Sequence, residues 1–88
     1  MILIWSDRAW NDYLYWQDHD MKLVRKINTL LADIGRSPFR GLGLPEPLRE
    51  SWAGFWSRRI TDEHRLIYRI AGAGAERRIE IAQCRFHY

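Results

Sequence analysis

Apolar side chains recur every three or four residues early in the chain and every second residue late in it. That switch of period confines the fold to helices followed by strands. Leu23, Val24, Ile27, Leu30, Leu31 and Ile34 form one helical stripe, with Lys22, Arg25 and Lys26 on the wet side. Ile79-Glu80-Ile81-Ala82-Gln83-Cys84-Arg85-Phe86 alternates as a strand does.

The remaining elements fall in around these two. Ile2-Leu3-Ile4-Trp5 is a short apolar run that reads as an edge or buried strand. Ser6 is placed to cap a first helix, with Trp5 and Trp10 at the positions of a hydrophobic staple and Ala9, Trp10, Tyr13 and Leu14 at helical spacing. Asp18-His19-Asp20 interrupts that pattern, and Asp20 can cap the second helix. Gly35 is expected just past the end of that helix, with Pro38 beyond it. The segment 36–54, with Gly41, Gly43, Pro45, Pro47 and Gly54, reads as a long loop. Strands follow at 55–60 and 65–70, with Thr61-Asp62-Glu63 as a turn, Ala71 to Ala75 as a flexible hairpin loop, and a last strand over 76–88. Leu66, Tyr68 and Ile70 fall on one face, Arg65, Ile67 and Arg69 on the other. The order β-α-α-β-β-β predicts an α+β fold, with two helices on one face of an antiparallel-dominated sheet and the other face free.

Eighty-eight residues predict one domain, 1–88. Five Trp, four Tyr and three Phe enlarge its modest core. No run approaches a membrane span, and the first residues lack the basic region and cleavage site of a signal peptide. A single cysteine, Cys84, precludes an internal disulfide and points to a reducing cytoplasm, with the thiol as a small core group. Residues 1–50 carry seven basic and seven acidic side chains, and residues 51–88 seven and four, so the net +3 lies in the second part. Twelve of the fourteen basic residues are Arg. An Arg-rich, aromatic-rich half suits RNA or single strands, and equally a solvated basic face.

The groups expected on the free face are Glu46, Arg59, Arg65, His87 and Tyr88. Pro45 and Pro47 brace Glu46, through turn chemistry or as an aimed carboxylate. His87 can exchange a proton near neutrality. A carboxylate, arginines and an imidazole are the parts that RNA cleavage by an internal 2′-OH requires: a base, a phosphate clamp and an acid. Such a reaction leaves a 2′,3′-cyclic phosphate. His19, His64 and His87 show no metal-ligand spacing, no Ser sits in a GxSxG turn, and no cofactor or metal is expected. His64 reads as a turn residue.

Leu3-Ile4-Trp5-Ser6, Trp10 to Trp16, Lys26-Ile27-Asn28, Pro38-Phe39, Pro45-Glu46-Pro47-Leu48, Gly54 to Thr61, Glu63 to Leu66 and Cys84 to Tyr88 carry a resemblance along the whole chain. The sequence resembles the Txe/YoeB family of bacterial toxins, within the RelE/ParE superfamily. The resemblance implies a RelE-like microbial RNase fold and ribosome-dependent cleavage of mRNA in the decoding site. It implies a cognate antitoxin, of YefM/Phd type, and a homodimer. It assigns Glu46 as general base, His87 as general acid, Arg65 and Arg59 to the phosphate, and Tyr88 to shaping the site and stacking on a nucleotide. Arg49 stands where the family often has Lys. The loop 71–78 looks longer than usual, as a tolerated insertion or as an added contact to rRNA or antitoxin. A ParE-like gyrase poison and a non-catalytic binding module of the same fold are the alternatives.

Overall fold

The computed structural model describes residues 1–87; Tyr88 lies outside the described residues. Strand β1 (Ile2–Trp5) leads into helix α1 (Asp7–His19) and helix α2 (Met21–Arg36). Strands β2 (Glu46–Pro47), β3 (Trp56–Arg59), β4 (Arg65–Ala71) and β5 (Arg78–Gln83) follow. The sheet order is β1-β5-β4-β3-β2, with β1 parallel to β5 and every other pair antiparallel. The α+β architecture expected from the sequence is therefore observed. The two-residue β2 is an addition inside the segment expected to be loop.

Local chemistry sets the helix ends. The Ser6 hydroxyl accepts the Ala9 N–H at 3.0 Å and donates to the Ala82 carbonyl at 2.8 Å, so the cap also ties α1 to the sheet. Trp5 stacks edge-on against Trp10 at 5.8 Å, completing the staple. Asp20 ends α1 and caps α2, accepting the Lys22 N–H at 3.0 Å. Gly35 was expected just past the end of α2, but it lies inside the helix, which runs on to Arg36 and is closed by Ser37, whose N–H donates to the Asp33 carbonyl. Pro38 supplies the stop, because it forces the residue before it out of helical geometry.

The helical stripe packs on Leu66, Tyr68, Ile79 and Ile81 to form the core. Ile67 is equally buried but lies outside that cluster, on the opposite sheet face. The last strand is shorter than 76–88. It ends at Gln83, and residues 84–86 bend away, with Phe86 at φ +65°. A bulge precedes that end: Tyr68 pairs with Ile81 but Ile67 with Gln83, so β5 holds one extra residue there. The loop 71–75 is not open coil throughout; a one-turn 3-10 helix, Gly74–Glu76, closes it.

One arginine holds the long segment after α2. Arg58 is wholly buried on the helix side of β3. Its Nη1 donates to Asp33 Oδ2 and to the Leu42 carbonyl, its Nη2 to the Ser37 and Arg40 carbonyls, and its Nε to the Tyr68 hydroxyl. The Tyr68 hydroxyl donates in turn to the Pro38 carbonyl at 2.6 Å. The Leu42 N–H and the Arg58 guanidinium hold the Asp33 carboxyl below its ordinary range. Gly41 sits at φ +114°, where a Cβ would collide with that carboxylate.

Arg58→Met removes the donors from the Asp33 carboxylate, the Ser37, Arg40 and Leu42 carbonyls and the Tyr68 hydroxyl at once, and should cost more in urea unfolding than the roughly 1 kcal/mol of a typical substitution. Arg58→Lys should rescue little of it, since an ammonium cannot fork to both flanks. Because the Asp33 pKa is depressed by folding, its stabilisation is present above the ordinary carboxylate pKa of about 4 and is lost as pH falls through the folded value. Asp33→Asn should therefore be less stable at neutral pH and flatten the acid limb of the stability curve.

Candidate active site

Strand register decides what shares the helix-free face. Glu46 pairs with Ser57, Ser57 with Ile67, and Ile67 with Gln83, a row across four strands. Ser57, Ile67 and Gln83 are buried, while Glu46 at the sheet edge is exposed. Two residues along β3, Arg59 pairs directly with Arg65 on the same face. The sheet thus brings Glu46, Arg59 and Arg65 onto one surface, and it does so for Glu46 through the short strand β2, in a segment expected to be loop.

Like charges directly opposed across two strands destabilise a sheet. Arg59 and Arg65 stand in that relation, and their surroundings relieve it only in part. Arg59 lies 3.9 Å from the carboxylate of Asp62, which is fully in solvent. Arg65 Nη1 is held by the Thr61, Asp62 and His64 carbonyls at 2.7, 3.1 and 3.1 Å. Those bonds fix one edge of the guanidinium against the turn. The geometry suits an oxyanion bridging the two arginines.

His87 was expected on a strand, and the structure places it beyond one. Four contacts position it instead. Its Nε2 lies 3.1 Å from the Asp62 carbonyl, the same oxygen that accepts from Arg65. The Gln83 amide donates to the His87 carbonyl at 3.1 Å. Phe86, one residue earlier, donates its N–H to His64 Nδ1 at 2.8 Å and accepts from the Arg65 N–H at 3.0 Å. His87 and Arg65 therefore share one turn, with Glu46 at the sheet edge beyond Arg59. The role expected of Tyr88 lies outside the described residues.

Arg49 lies beside Glu46 in the wall of a cavity of about 460 Å³, completed by Pro47, Leu48, Glu50, Ser51 and Trp52. Among the described residues, three non-glycines have positive φ: Leu44, Glu50 and Phe86. Each lies within two residues of Glu46, Arg49 or His87. Such backbone costs on the order of 1–3 kcal/mol per residue and concentrates at working sites.

The model of the YoeB-like toxin of bacterial type II toxin–antitoxin systems matches residues 5–88. The chain belongs to this family. It is 53% identical to Toxin YoeB of Escherichia coli K12 over 88 residues, all of both chains. Among solved structures, the YoeB/ParE toxin from Agrobacterium tumefaciens is 55% identical over the whole of both chains, with a TM-score of 0.98. The Staphylococcus aureus YoeB, solved as a dimer and in a heterotetrameric YoeB–YefM complex, is 42% identical, with a TM-score of 0.89 over 100% of this chain and 98% of that one.

In this YoeB-like chain three positioning groups escaped the sequence reading. Gln83 is a buried amide on an alternating strand, and its polarity at a buried position was the available signal. Arg58 follows from Arg59: neighbours on a strand face opposite ways, so one of the pair must enter the core and find acceptors. His64 gave no signal, because its partner is 22 residues away. Cys84 is core, as expected, its thiol pushed up to about 12, mainly by burial.

Arg59→Gln should relieve the opposed charges and raise the melting temperature of the YoeB-like toxin slightly in low-salt buffer without phosphate. Added phosphate or sulfate should stabilise the native protein more than the variant. Equal anion stabilisation of both in thermal unfolding would remove Arg59 from the anion site.

Proposed function

We propose that the chain is a ribosome-dependent mRNA endoribonuclease, acting as the toxin of its toxin–antitoxin module. The observation that carries this reading is the opposed Arg59–Arg65 pair on the helix-free face, with Glu46 on the same face and His87 hydrogen-bonded at the Arg65 turn. A scissile phosphate seated between the arginines has its growing charge neutralised there.

In this reading the Glu46 carboxylate takes the proton from the 2′-OH. The 2′-oxygen forms a bond to phosphorus, and the bond to the 5′-oxygen breaks. Protonated His87 supplies the proton to that leaving oxygen. The products are a 2′,3′-cyclic phosphate and a 5′-OH. Arg49, at the cavity beside Glu46, holds a neighbouring phosphate, and Tyr88 offers its ring to a base. Cleavage occurs in the ribosomal decoding site of the cytoplasm, where the mRNA is single-stranded. The proposed inhibitor is a YefM-type antitoxin, by analogy with the S. aureus complex, and a homodimer is the proposed free form, by analogy with the S. aureus dimer.

End-group analysis of mRNA cleaved on ribosomes tests the chemistry. A cyclic phosphate and 5′-OH are expected, and a 5′-phosphate product would mean an activated water and overturn the 2′-OH route. Glu46→Gln and His87→Ala should each lower the cleavage rate by about 10²–10⁴-fold, the usual span for acid–base groups, with ribosome binding nearly unchanged, and Arg65→Ala should be comparably harmful through lost charge stabilisation. Native turnover in any one of them removes that residue from the mechanism.

A further inference from the structure

His64 stands out among the groups that the proposed chemistry does not use. Its ring packs edge-on against Trp16 at 4.7 Å, which any aromatic could do. Its Nδ1, however, accepts the Phe86 N–H at 2.8 Å. Only a neutral imidazole with its proton on Nε2 can accept there. The bond is one half of a bracket. The Arg65 N–H grips the Phe86 carbonyl at 3.0 Å, so residues 64 and 65 hold Phe86 by both of its backbone groups. Phe86 needs holding, because at φ +65° a non-glycine residue is strained and persists only where its surroundings fix it. The turn that carries the bracket is itself pinned, as the Thr61 hydroxyl accepts the Glu63 and His64 N–H groups at 3.2 Å. The residue after Phe86 is His87, aimed at the Asp62 carbonyl of the same turn.

We propose that His64 is a positioning residue for His87: by accepting the Phe86 N–H it fixes the strained backbone that presents the His87 imidazole beside Arg65. The inference rests on the reading of His87 as the proton donor. The two imidazoles work in opposite protonation states, His87 charged and His64 neutral. Burial against Trp16 keeps His64 neutral to lower pH than an ordinary imidazole, and Arg85, His87 and Arg65 nearby act in the same direction while Glu63 opposes them. Protonation puts a hydrogen on Nδ1, turns the acceptor into a donor, and opens the bracket. The bracket's contribution is therefore complete above the ordinary imidazole pKa and is lost as pH falls through the lowered folded value.

The test compares two substitutions in the full-length chain. His64→Asn puts an amide oxygen near the place of Nδ1 and cannot be protonated; His64→Phe keeps the ring against Trp16 and removes the acceptor. On ribosomes, His64→Phe should lose on the order of ten- to a hundredfold in kcat, the scale of a misplaced catalytic group, with KM within about twofold. His64→Asn should recover most of that turnover and hold it to lower pH than the native chain. Equal impairment of the two variants, or native turnover in His64→Phe alongside a His87→Ala chain that has lost cleavage, overturns the inference alone. Native cleavage by His87→Ala overturns the reading of His87 and this inference with it. Independently of catalysis and of how either variant folds, the Phe86 amide of the native protein is followed by hydrogen exchange from about pH 8 to about pH 5, the range in which an imidazole changes charge. Protection, corrected for intrinsic rate, should fall in the lower part of that range; constant protection throughout overturns the inference.

Discussion

The buried guanidinium of Arg58 is the interaction on which the rest depends. Its five N–H donors meet five acceptors, from α2, from the segment after it, and from β4. A buried cation without such partners would cost several kcal/mol; with them it organises a stretch whose large apolar side chains, Phe39, Leu42 and Leu44, stay exposed. Ser37 to Leu42 are held against the sheet through their carbonyls. Gly43 then reaches the Arg59 N–H, and the chain arrives at Glu46 in register with Ser57. The position of the proposed base thus traces back to an arginine on the opposite face of the sheet.

The other end of the site is held by a different device. After Gln83 the chain leaves the sheet, and no ladder remains to fix it. Gln83, His64, Arg65 and the Asp62 carbonyl replace that ladder with single hydrogen bonds to Phe86 and His87. Single bonds at the surface open more easily than a ladder in a sheet. The arginines therefore stand on rigid strands, while the proposed acid hangs on a clasp with separately adjustable parts. That division suits the proposed function, in which the arginines hold a phosphate and an antitoxin switches the site off.

Much of this was legible in residue spacing. The helical stripe of α2, the Ser6 and Asp20 caps, the Trp5–Trp10 staple and the alternation of β4 are local properties, and each appears where it was expected. The common face of Arg65, Ile67 and Arg69 followed from period-two geometry; that Arg59 stands opposite Arg65 was set by the pairing of β3 with β4. Gly35 misled, because its freedom to end a helix was not used where Pro38 and the Arg58 network already fixed the exit. The last strand was read too long, because Cys84 and Phe86 continue an apolar alternation that the backbone abandons after Gln83.

The sequence by itself determined the order of the helices and the longer strands, the faces of β4, the family and the chemical types available to the site, since these depend on neighbours within a few residues or on the whole pattern at once. The tertiary structure alone decided that Arg58 turns inward to Asp33, that Glu46 pairs with Ser57, and that His64 grips Phe86. Each of those joins residues 11 to 25 positions apart through a directional hydrogen bond. Directional bonds between distant residues leave no period in the sequence, because their geometry exists only after the sheet and helices have packed.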